Sequence, residues 1–246
     1  MKETSDNRRN VILTTARLLS FRSTREELLR FNFRHLIFGL CCAWVVGVGR
    51  YWDNPRVPLL QRSGIGSVIY IFVLAFLLWL ISWPLKPKDW TYFRVLTFVS
   101  LVSPPAILYA VPVERAFSLE VANGINACFL TIVAGWRVCL LIFFLARSGG
   151  LEWQSVITAT LLPLTLIVVA LTALNLERVV FNFMGGFRER SPNDASYGIL
   201  FFLSLLAFLL FIPSFIWYLY LSVKKQHSEQ SEKPGALNLD FDERKP

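Results

Sequence analysis

The stretch GIGSVIYIFVLAFLLWLISW, residues 64–83, runs for 20 residues without a charge. A helix rises about 1.5 Å per residue, so this segment spans the ~30 Å hydrocarbon core of a bilayer. Its end, WLISWPLKPK, gives aromatic rings and then lysines, the order expected where a span leaves the membrane.

Working outward, five more apolar segments read as spans. Residues 121–146 and 155–176 are long enough without special pleading, and 197–223 ends in WYLYLSVKK, again aromatics before lysines. Residues 92–113 are interrupted by Ser103-Pro104-Pro105. The first segment, 36–49, has only 14 uncharged residues, and including RFNFRH before it restores the length with Arg34 and His35 at the interface. The chain has 246 residues, 54% hydrophobic and 17% charged, with a mean hydropathy of +0.50. A soluble domain carries about 25% charged residues, so the composition agrees with the spans.

The expected fold is therefore an all-α polytopic integral membrane helix bundle of about six transmembrane helices. A basic N-terminal segment (1–34) precedes the membrane domain (35–223), and a polar, breaker-rich tail (224–246), expected to be disordered, follows it. With six spans, Lys and Arg number 17 on the side of the tails and 7 on the other, which predicts both termini in the cytoplasm. Compact loops and absent glycosylation sequons fit a bacterial cytoplasmic (inner) membrane. The net charge of +8 does not call for nucleic acid, because the basic residues flank the apolar runs as topology signals. The N-terminal VILTTARLLSFRSTREELLRF is read as a helical lead-in or an amphipathic interfacial helix, and STREE within it offers a capping box.

One charge lies deep inside a span. In TIVAGWRVCLLIFFLA (131–146), Arg137 is separated from Arg147 by nine apolar residues, a rise of about 13 Å. At 100° per residue Asn126 lies about 20° from Arg137 around the axis and Asn123 about 40° to the other side. The next span carries Thr158, Thr165 and Thr172 at seven-residue spacing, a face suited to close packing and interhelical hydrogen bonds. The two prolines leave carbonyls upstream without helical donors. Since no Asp or Glu lies inside any span, such carbonyls, hydroxyls, amides, water or a lipid phosphate are the partners open to Arg137.

Two roles follow for this polar set. In one, Arg137 locks the third, fourth and fifth spans together. In the other, Arg137, Asn126 and Asn123 line a route for an anionic solute or lipid headgroup. A second candidate surface is the loop ERVVFNFMGGFRERSPNDASYG, whose Phe181, Phe183, Met184 and Phe187 surround two glycines and suit the bilayer surface or a partner. RYWDNPR (50–56) reads as an anchored outer turn.

Catalysis is not expected. Ser67 has no histidine in reach, because His35 falls near the opposite membrane face and His227 in the tail. Asp89, Glu114, Glu120, Glu152 and Glu177 are not grouped, and no phosphate-binding glycine loop occurs. Cys41, Cys42, Cys128 and Cys139 lie in apolar runs without ligand spacing, so no metal or other cofactor is expected. The sequence thus predicts a non-catalytic membrane subunit or scaffold. Its partners would be the lipid bilayer, a protein partner or a second copy, and anionic lipid. The alternative is a small transporter or channel with Arg137 on its path.

Overall fold

A computed structural model gives the architecture and describes residues 2–49, 59–174 and 195–232. Helices and turns account for them, with no strand among the described residues. The N-terminal segment folds as α1 (Lys2–Leu19) and α2 (Arg25–Leu29). Helix α1 ends through Phe21, which takes a left-handed conformation (φ 59°), while Arg22 N–H donates to Arg17 O at 2.8 Å. That is a Schellman cap, whose left-handed position glycine normally holds. The Phe21 ring offsets the backbone cost by stacking on Trp136 (centroids 6.3 Å apart) and meeting Phe143 edge-on (5.9 Å). STREE does form a capping box, in which Thr24 Oγ1 accepts from Glu27 N–H and Glu27 accepts from Thr24 N–H.

Helix α3 (Phe33–Gly49) begins where Asn32 Oδ1 accepts from the N–H groups of Arg34 and His35, 3.1 and 3.3 Å away. Its 17 residues include Arg34 and His35 and rise about 26 Å. After the short α4 (Leu59–Arg62) come α5 (Ile65–Ser82) and α6 (Tyr92–Leu101), then α7 (Leu119–Arg147), α8 (Trp153–Ala173) and α9 (Ala195–Glu232). Among the described residues, four helices, within α5, α7, α8 and α9, are long and apolar enough to cross a membrane. The chain is a helical membrane bundle.

The third expected span is broken. Helix α6 has 10 residues, about 15 Å or half a bilayer. A 3-10 helix, Pro104–Ala110, continues it at a bend of 41°. The prolines cause this, since neither supplies an N–H to continue the ladder.

Helix α6 is the hub of the core. Every residue from Val95 to Leu101 is buried. Helices α3 and α5 pack along it, and α7 closes a third side by stacking Phe144 on Phe98 with centroids 4.1 Å apart and planes within 7°. The approach of α3 requires glycine at one point: a Cβ on Gly39 would lie 2.3 Å from Ser100 Oγ. Small residues that let backbones come close are the usual device for joining helices in lipid.

One end of the bundle gathers most of the basic elements. Arg25 of α2 pairs with Asp89 at 3.5 Å, Lys88 N–H donates to Gly149 O at 2.9 Å, and Lys225 Nζ of α9 donates to Leu85 O at 2.5 Å. The N-terminal segment, the α5–α6 and α7–α8 connections and the far part of α9 therefore share that end.

Candidate functional site

Arg137 sits ten residues before the end of α7 and is half-buried. Its Nε donates to Val102 O at 3.3 Å. Counting back four residues from the two prolines would name Ser100 and Leu101 as the orphaned carbonyls. The acceptor is instead the next one along, for a reason visible in the turn. Ala106 N–H, which an α-helix would direct to Val102 O, donates to Ser103 O at 3.0 Å in the tighter 3-10 pattern. Val102 O is thereby released, and a charged donor from α7 meets it.

Packing fixes this geometry from both sides. One turn before Arg137, Val133 is buried against Ala106 and Val46, and one turn after it Leu140 is fully buried in the main core. The adjacent Trp136 faces elsewhere, and its Nε1–H donates to Leu19 O at 3.1 Å. The end of α1 is thus held to α7 at the same level as Arg137. Neither Trp136 nor Leu19 carries a sequence pattern that announces this contact. The aromatic cluster of Phe21, Trp136 and Phe143 is formed by tertiary packing.

The other members of the stripe are placed less evenly. Asn123 is buried and Asn126 half-buried. Thr158 and Thr165 are both buried, but the threonines do not all bond across helices. Thr158 Oγ1 donates to Gln154 O and Thr165 Oγ1 to Leu161 O, both at 2.8 Å and both within α8. Such bonds return the hydroxyl to its own helix. Thr172 also bonds within α8, to Val168 O at 2.9 Å, and in addition its hydroxyl lies 3.1 Å from Ser204 Oγ of α9. Among the described residues, then, Arg137 ties α7 to the break after α6, and Thr172 ties α8 to α9.

An open apolar groove of about 540 Å³ lies elsewhere, lined by Phe72, Val73, Phe76 and Trp79 of α5 with Tyr92 of α6. None of the stripe residues contributes to it. Ser67 is spent on packing, since a Cβ on Gly47 would lie 2.6 Å from its Oγ. Among the described residues no three His, Cys, Asp or Glu side chains converge as a metal would require. Phe181, Phe183, Met184 and Phe187, the RYWDNPR turn and the tail beyond Glu232 lie outside the described residues.

No protein-family model, curated protein or solved structure matches this chain.

Proposed function

We propose that the chain is a non-catalytic membrane subunit or scaffold that works by docking a partner, or a second copy, against its lateral surface and its cytoplasmic ends. The observation that carries this reading is the one-sided packing of α9. That helix lies along α8 and touches the Trp83–Leu85 turn of α5, yet only 17% of its apolar window is buried. Phe201, Phe202, Leu205, Leu209, Ile212 and Ile216 remain exposed. Its 38 residues rise about 57 Å, well beyond the ~30 Å core, so the helix also reaches past the bilayer.

In this reading the chain crosses the membrane six times with both termini cytoplasmic, in a bacterial inner membrane. The bias of 17 basic residues against 7 supports the orientation. The shared end formed by α2, the α5–α6 and α7–α8 connections and Lys225 is consistent with it. The test is isolation in a mild detergent after photocrosslinking from Leu209 and Ile216. A crosslinked partner or dimer is expected, and an exclusively monomeric, uncrosslinked chain refutes the proposal.

One observation favours transport of an anionic solute or lipid. Arg137 reaches Val102 O through Nε, and a guanidinium has four further N–H donors. On that reading Arg137, Asn126 and Asn123 line the route. Thiol labelling separates the two. With the native cysteines replaced and Arg137 kept, Leu130→Cys and Asn126→Cys are probed by a membrane-impermeant reagent from each side. Labelling at Leu130→Cys makes transport the better reading. Protection at both positions, with normal labelling after denaturation, makes Arg137 an internal clamp.

A further inference from the structure

The open groove on α5 has no part in the scaffold reading, and its walls are mostly aromatic. Phe72, Phe76 and Trp79 line it with Tyr92 of α6, and Trp83 stacks on Trp79 with centroids 6.2 Å apart. At 100° per residue, Phe72, Phe76, Trp79 and Trp83 fall within about 60° of one another along α5 and the turn that ends it. They form one row that rises about 17 Å, close to the depth of one leaflet of a ~30 Å core. An aromatic belt needs rings only at the interface. This row continues from the interface toward the middle of the bilayer.

The walls are held in place by contacts of their own. Tyr92 Oη–H donates to Phe72 O and Trp90 Nε1–H to Trp79 O, both at 3.2 Å. The Tyr92 ring also meets Phe76 and Trp79 edge-on, with centroids 6.4 and 6.2 Å away. The groove encloses about 540 Å³, within the range of small-molecule sites, while Phe72, Val73 and Phe76 stay exposed along it. A flexible chain that settles between walls already in place avoids the cost of ordering them.

Charge marks one end of the groove. The loop that joins α5 to α6 lies there by connectivity and carries Lys86 and Lys88, both exposed. Lys86 follows the row directly, since its N–H donates to Trp83 O at 3.0 Å. Lys88 leans toward the α7–α8 connection, where a Cβ on Gly150 would meet its Cδ at 3.5 Å. The ammonium of Lys225 sits on Leu85 O, next to Lys86 in the chain, and adds a second positive group. The loop's one carboxylate, Asp89, pairs with Arg25.

We propose that this groove binds an anionic glycerophospholipid, one acyl chain lying along the aromatic row and the phosphate at Lys86. The row and the lysines divide apolar from charged surface where such a lipid does, at the interface. A zwitterionic lipid offers the same chains, but its headgroup carries no net charge for the lysines to attract.

The test is native mass spectrometry of the full chain, released from detergent micelles that hold palmitoyl-oleoyl phosphatidylglycerol or phosphatidylcholine at equal concentration. Wild type should keep one phosphatidylglycerol in preference to phosphatidylcholine. Lys86→Gln should lower phosphatidylglycerol binding about fivefold, the size of one lysine's attraction to anionic lipid. Arg30→Gln, which removes an exposed charge near the same end, should leave it unchanged. Phe76→Ala should weaken phosphatidylglycerol binding at least fivefold, and Phe202→Ala, which removes an exposed ring of α9, should not. Where Phe76→Ala fails to fold, phosphatidylglycerol with a diazirine in its acyl chain is photocrosslinked to wild type, and its adducts should fall within residues 72–92. Equal retention of the two lipids overturns the proposal, as do equal effects of the groove variants and their controls. Adducts as dense on α9 as on the groove overturn it too.

Discussion

Helices α6 and α9 are both strongly apolar, and the bundle uses them in opposite ways. The first is short, buried from Val95 to Leu101 and packed by α3, α5 and α7. The second is the longest helix described and leaves most of its apolar surface open. In water such exposure would be costly, but in a bilayer lipid tails are as apolar as leucine. Hydrophobicity therefore inserts both helices without deciding which becomes the core. Fit decides it: a glycine facing a serine, two rings stacked flat, and a carbonyl released beside an arginine.

The comparison can be broken at its tightest contact. Gly39→Val should abolish the folded bundle, because Ser100 and its backbone leave no room for a Cβ. A monodisperse variant with unchanged thermal unfolding in detergent would show that α3 and α6 do not meet so closely. Next in size, Phe98→Ala removes a side chain that is 2% exposed and stacked on Phe144. Truncations of this kind cost about 3–5 kcal/mol, so the denaturation midpoint should fall steeply.

The smaller predictions sharpen the α9 side. Removing the Thr172 and Ser204 hydroxyls singly and together should give a coupling of about 0.6 kcal/mol, the size found for hydrogen bonds between membrane helices. Leu209→Ala should be smaller still, within about 0.5 kcal/mol, since Leu209 is 71% exposed. The same substitution should nevertheless reduce any crosslinked partner. If Leu209→Ala destabilised the isolated chain as much as Phe98→Ala, the contrast between the two helices would fail.

Much of this was legible along the chain. The apolar runs marked the helices because insertion sums local, per-residue preferences. The STREE capping box and the start of α3 ahead of Arg34 and His35 were readable for the same reason: their determinants lie within a few residues. The prolines announced a break and freed carbonyls, but not which carbonyl, since that depended on Ala106 turning to Ser103. The threonine period suggested one bonding face. The structure uses its members separately, because Thr158 and Thr165 satisfy themselves within α8, and Thr172 alone of the three meets a hydroxyl on α9.

By itself, then, the sequence determined that this is a helical membrane protein, where its apolar runs begin and end, and which polar residues it carries inside them. Those are properties of composition and short spacing, and the bilayer reads them one segment at a time. Only the tertiary structure decided that α6 is the hub, that α9 is left open, and that Phe21 pins the N-terminal segment to α7. Each of these depends on which surfaces meet across dozens of residues. Lipid and neighbouring helices are nearly equivalent as apolar surroundings, so hydropathy does not distinguish them, and only shape and hydrogen bonding do.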